Sequence, residues 1–186
     1  HEGKTTVPPE HASSAFSSVS TDHAHTCGIL HGSGIVVCWG NNNYGKATVP
    51  PEHTSSAFSS ISAGYDHTCG ILDGSGIIVR WGSKNIGRTV PQKYASSAFS
   101  SVSAGYLHTC GILDGSGIVL CWGSNYQGQV VGPQEHTSLN FSSVSAGRYA
   151  HTCGILDGSG TLLCWGEDSD GQLGACNDYV RGFFNA

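Results

Sequence analysis

Four histidine–cysteine pairs, each separated by one threonine, are the residues in this chain best placed to do chemistry: His25 and Cys27, His67 and Cys69, His108 and Cys110, His151 and Cys153. A series of this kind can ligate zinc, build a metal ring, supply a catalytic base or close disulfides. In three of the four copies a second cysteine follows eleven residues after the first, at Cys38, Cys121 and Cys164. Zinc fits poorly, because no Cys-x-x-Cys clip is present and a hairpin offers only two thiolates on one face. The loops at Asp73, Asp114 and Asp157 bring one carboxylate each, too few for the oxygen shell of calcium. Catalysis is not expected either. Each histidine recurs inside the same phrase, with no nucleophile or carboxylate beside it, and no Gly-x-Ser-x-Gly elbow or phosphate-binding loop occurs. The sequence therefore predicts no enzyme activity and no cofactor.

The elements that carry these pairs are written into the repeat. Phe16–Ser20 alternates apolar and small polar residues, a half-buried strand, and 25–30 and 35–40 read as two further strands. Between the last two lies His31-Gly32-Ser33-Gly34, and Asp-Gly-Ser-Gly stands there in the other copies. Such a loop suits a tight hairpin, with glycines for positive φ and Asp for an Asx-turn. Its length sets the register: Leu30 faces Ile35, Ile29 faces Val36, and Cys27 faces Cys38. Cross-strand Cβ atoms lie about 4.5–5.5 Å apart, near disulfide reach. The same count pairs Cys110 with Cys121 and Cys153 with Cys164. Cys69 faces Arg80 instead, so Cys69 and Cys176 lack hairpin partners and are expected to be free, paired within the chain, or bridging two chains.

Composition narrows the setting. Charged residues make up 11% of the 186, the formal net charge is −5, and the eight Lys and Arg are scattered. A phosphate backbone has little to grip, so nucleic acid is not an expected partner. Apolar runs reach only about four residues, so membrane insertion is not expected. Three disulfides imply an oxidising, extracellular compartment, and the sequon Asn140-Phe141-Ser142 is a glycosylation candidate that agrees with secretion. The sequence contains no methionine, which reads as a processed protein or a fragment.

Trp39, Trp81, Trp122 and Trp165 mark the phase at intervals of 42, 41 and 43 residues. A period near forty means supersecondary units that bury their faces against neighbours. The phrases Ser-Ala-Gly-x-x-His-Thr-Cys-Gly-Ile-Leu and Cys-Trp-Gly-x-Asn-x-x-Gly resemble regulator of chromosome condensation repeats, closest to the short forms of plant crinkly-type receptor ectodomains and a bacterial β-lactamase-inhibiting propeller. The resemblance spans about residues 4–174. It implies β-propeller blades of three or four strands, with the four histidines as packing residues and Gly40, Gly82, Gly123 and Gly166 in blade turns. Relatives have seven blades. Four repeats, approximately 4–45, 46–87, 88–128 and 129–174, predict an all-β open arc or superhelix rather than a closed ring. The tail 175–186 is in phase with a further blade, since Phe184 follows Trp165 at the spacing of Phe58 from Trp39.

The first expectation of function is a non-catalytic, extracellular structural protein that self-associates head to tail, as complementary unfinished ends allow. Phe183 and Phe184 are its assembly candidates, with Cys69 and Cys176 as staples. The alternative is a protein- or glycan-binding propeller module of a larger receptor or inhibitor. Tyr44 and Tyr126, in the variable loops after the tryptophans, are its recognition candidates.

Overall fold

The computed structural model describes residues 6–84, 89–132 and 139–174. Cys176, Phe183 and Phe184 lie outside the described residues. Within them the chain folds into four antiparallel three-stranded sheets in an open arc. The first blade is β1 (Phe16–Thr21), β2 (His25–Leu30) and β3 (Val36–Gly40). The second is β4 (Phe58–Ala63), β5 (His67–Leu72) and β6 (Ile78–Gly82). The third is β7 (Phe99–Ala104), β8 (His108–Leu113) and β9 (Val119–Gly123), and the fourth β10 (Phe141–Ala146), β11 (His151–Leu156) and β12 (Leu162–Gly166). Single 3-10 turns at Pro9–His11, Pro51–His53 and Gln92–Tyr94 lead into the first three blades. Proline or a glutamine after proline starts each turn, where the fixed φ costs nothing.

The hairpin register is the one that the four-residue loop dictates. Leu30 N–H donates to the Ile35 carbonyl at 2.8 Å, Ile29 pairs with Val36, and Cys27 pairs with Cys38. Counting from the hydrogen-bonded Leu30–Ile35 pair, the cysteines fall on a non-hydrogen-bonded pair, where side chains lie closest. Sulfur–sulfur bonds join Cys27 to Cys38, Cys110 to Cys121, and Cys153 to Cys164. A bulge between Phe16 and Ser18 recurs in the first strand of every blade. The periodic pattern did not announce it.

Each core is shared between blades. Cys27, Ile29 and Val36 of the first blade pack against Phe58, Ile61 and Trp81 of the second, and the third interface repeats this with Cys110, Ile112, Phe141, Val144 and Trp165. Three polar bonds tie each inner edge to the next. Phe58 N–H donates to the Gly34 carbonyl, Ala63 N–H to Ser20 Oγ, and the His25 and Thr68 side chains meet at 2.8 Å. The same bonds recur as Ala104 to Ser62, Ala146 to Ser103, His67 to Thr109 and His108 to Thr152.

Burial shows where this stacking stops. Ile61, Val102 and Val144 are each 7% exposed, whereas the equivalent Val19 on the first blade is 62% exposed. On the opposite flank Ile29, Ile71 and Ile112 are almost fully buried, while Ile155 of the fourth blade is 38% exposed. The arc therefore ends in two apolar flanks of opposite kind.

The glycines after the tryptophans differ from expectation. Gly40, Gly82, Gly123 and Gly166 are not turn residues: each is the last residue of its outer strand and pairs with the histidine that opens the middle strand. All four have positive φ, because the chain leaves the strand there to cross toward the next blade.

Candidate functional site

The pairing of His25 with Gly40 fixes which loops share an end of the arc. The link from first to middle strand and the loop after each tryptophan both emerge there, while the Asp-Gly-Ser-Gly hairpins emerge at the other end. The invariant phrase thus leaves its variable positions on one face. Those in the links are His23, Tyr65, Tyr106 and Arg148-Tyr149.

These tips, more than forty residues apart in sequence, converge. The rings of His23 and Tyr65 are stacked at 5.2 Å, and Tyr65 and Tyr106 lie 4.4 Å apart. The Arg148 guanidinium sits 5.4 Å from the Tyr65 ring centre and 5.9 Å from that of Tyr149, a cation–π arrangement. Its Nη2 lies 3.4 Å from His23 Nδ1, so the fourth blade reaches across to the first at this mouth. Tyr65 is braced from below by buried Lys46, whose Nζ donates to the Tyr65 carbonyl at 2.9 Å.

The fourth link is one residue longer than its equivalents, Gly147-Arg148-Tyr149-Ala150 against Gly105-Tyr106-Leu107. The extra residue is absorbed at Ala150, which adopts φ 59. A non-glycine residue in this region costs about 1–2 kcal/mol, and such strain concentrates at functional sites. It also delivers Arg148 and Tyr149 together. Between the third and fourth blades these side chains bound a cleft of about 490 Å³, lined also by Tyr106, Tyr126, Glu167 and Asp170. Tyr126 is 86% exposed at its rim.

Of the two tyrosines singled out from sequence, Tyr126 lines this cleft and Tyr44 does not. Tyr44 stands exposed in the loop after the first blade with φ 64. The sequence reading missed Tyr65, Tyr106, Arg148 and Tyr149. The signal that finds them is the pair of variable positions inside Ala-Gly-x-x-His. Asn140 is exposed just before β10.

The repeated histidines are engaged in the core. Thr68 donates its only hydroxyl proton to the Lys46 carbonyl, so it can only accept from His25, and the Nε2 of that histidine carries the proton. Thr152 donates likewise to the Gln129 carbonyl and fixes the Nε2–H form of His108. The Nδ1 atoms of His25 and His108 are buried with no hydrogen-bond partner. Burial, with Lys46 nearby, pushes the His25 pKa down to about 4; burial, with His151 nearby, does the same for His108. Among the described residues no group of three or more His, Cys, Asp or Glu is placed to hold a metal ion.

Cys69 is a free thiol, fully buried, and burial pushes its pKa up to about 12. An intermolecular bond through it is at odds with this placement, because a thiol sealed between two blades meets no second chain while the fold is intact.

The profile of the regulator of chromosome condensation (RCC1) repeat matches residues 99–129 and 141–172. The crinkly ectodomain of the receptor kinase ACR4 from Arabidopsis thaliana superposes with a TM-score of 0.68 at 29% identity, over 83% of this chain and 51% of that one. The entire ectodomain of the receptor kinase CR4 from Physcomitrella patens gives 0.66 at 29% identity, over 83% and 39%. Yeast RCC1 (Prp20), solved bound to Kap60, gives 0.65 at 17% identity, over 87% and 46%, a likeness of fold alone. The chain thus spans about half or less of the length of these proteins. No curated protein sequence matches it.

Proposed function

We propose that this chain of regulator of chromosome condensation repeats is a non-catalytic extracellular recognition module, and that its ligand binds the loop face around Tyr106, Tyr126, Arg148 and Tyr149. The observation that carries the reading is the convergence of aromatic and cationic tips from four blades onto one mouth, on strands held rigid by interblade bonds. Aromatic residues and arginine are the side chains enriched at interface centres. The likeness to two receptor ectodomains supports it. Three disulfides support the extracellular setting. The absence of catalysis rests on the histidines, held alike in a repeated structural bond. The triple variant Tyr106→Ser, Tyr126→Ser, Tyr149→Ser, screened beside the parent against extracellular proteins and oligosaccharides, tests the reading. A ligand should be lost while the unfolding midpoint stays unchanged. A ligand indifferent to the triple change, or no ligand at all, overturns it.

The two exposed flanks favour a second reading, head-to-tail association with another copy. The fourth blade presents Ile155 in the phase that faces a following blade; the first presents Val19 in the phase that faces a preceding one. Docking one on the other would repeat the apolar packing of the three interfaces already present in the chain. Sedimentation velocity reads the result. Wild type should associate with rising concentration, and Val19→Glu and Ile155→Glu should each be monomeric. Their mixture, which keeps one good flank of each kind, should give dimers and nothing larger. Wild-type monomers at every concentration would refute this reading.

A further inference from the structure

The cleft between the third and fourth blades combines charges of both signs. Arg148 lines it, with no carboxylate at ion-pairing distance among the described residues, and so do Glu167 and Asp170. A cationic ligand gains at the carboxylates and loses at the guanidinium, and an anionic ligand does the reverse. Neither is favoured across the whole cleft.

A hydroxyl escapes this conflict, since it donates to a carboxylate and accepts from a guanidinium or amide with the same atom. Four tyrosines, Tyr65, Tyr106, Tyr126 and Tyr149, also line the cleft. Tyr106, Tyr126 and Tyr149 are exposed, offering flat apolar faces with a polar edge. Among the described residues neither their phenol hydroxyls nor the Asp170 carboxylate oxygens make a hydrogen bond, so the site holds unused donors and acceptors beside apolar rings. Glu167 is already held in place by the Gln127 amide and by Ser169 N–H. The volume of about 490 Å³ falls within the roughly 300–1,000 Å³ of ordinary ligand sites.

We infer that this cleft binds a neutral oligosaccharide, with sugar C–H faces on the tyrosines and hydroxyls shared among Arg148, Glu167 and Asp170. This rests on the recognition reading and supplies its ligand class. A sugar ring has an apolar face and a hydroxylated rim, and the cleft has both counterparts. The inserted residue that strains Ala150 is what brings Tyr149 and Arg148 to it.

The test uses the disulfide-intact chain and four neutral probe series: cello-, xylo-, manno- and chito-oligosaccharides. Oligogalacturonate and spermine serve as the anionic and cationic arms. Calorimetry and ligand-observed NMR should show saturation by at least one neutral series below about 10 mM. Tyr149→Ser should weaken that binding about tenfold or more and Asp170→Asn should weaken it too, while Tyr44→Ser leaves it unchanged. Affinity should stay nearly constant between about 0.05 and about 0.5 M salt, as screening leaves a neutral ligand untouched. No saturation by any neutral series, saturation indifferent to Tyr149→Ser, or binding of the charged probes alone overturns the inference. The recognition reading fails separately. A protein ligand lost from the triple tyrosine variant would leave that reading standing with the sugar refuted, and absence of any ligand would remove both.

Discussion

Gly123→Ala is expected to remove about 4 kcal/mol or more of folding stability, a large part of what holds an ordinary domain together. Gly123 ends β9 with φ 116, well beyond the left-handed region that other L-residues tolerate. A Cβ there would lie 2.5 Å from the Leu107 carbonyl oxygen and 2.8 Å from the His108 Cα. Both are backbone atoms of the link and strand paired with it, so neither yields by a rotamer change. Shifting them would disturb the His108–Thr152 bond to the next blade and the loop that carries Tyr126. Gly115→Ala, in the same blade, is the internal control. Its φ is 71 and nothing lies within 4 Å of an added Cβ, so it should cost only about 1 kcal/mol. Urea unfolding of the two variants decides the matter, and equal midpoints would show that the outer-strand glycine has no special role.

Acid should unfold the chain well before its carboxylates account for the loss. His25 and His108 have pKa values lowered to about 4 from 6.5, through burial first. The geometric reason is visible: Nε2 already donates to threonine, and a second proton would have to sit on a buried Nδ1 with no acceptor. The unfolded chain binds these protons more readily, so stability is fully present above about pH 6.5 and is lost as the pH falls toward 4. A shift of this size corresponds to about 3 kcal/mol for each histidine as an order of magnitude. Unfolding free energy measured from pH 7.5 to 4.5 should fall steeply. His108→Gln, which keeps a donor but cannot titrate, should flatten the slope while lowering stability at pH 7.5. An unchanged slope in that variant would show that the interblade histidine does not control acid sensitivity.

The disulfides and the loop face were legible in the sequence to different degrees. Cys27 and Cys38 could be paired by counting outward from a four-residue loop, because a hairpin register is a local property. The same arithmetic explains Cys69, stranded opposite Arg80. The open arc followed from the count of tryptophans. The loop face was found only in half. Tyr126 was visible as a variable residue after a tryptophan, but Tyr44, in the corresponding loop of the first blade, falls outside the cleft, because the inner tips that complete the site there come from the third and fourth blades.

What the chain determined by itself is everything periodic: the all-β class, the strands, their register, the sulfur pairs and the apolar residues at each interblade core. Those depend on contacts within one repeat or between adjacent copies of it, and a repeated phrase states them directly. What only the tertiary structure decided is the meeting of His23, Tyr65, Tyr106 and Arg148. Their approach depends on the rotation from blade to blade and on one inserted residue at Ala150. The insertion is written in the fourth repeat, but the rotation is a property of no single repeat, because small rotations between sheets accumulate over four blades before they bring the tips within reach.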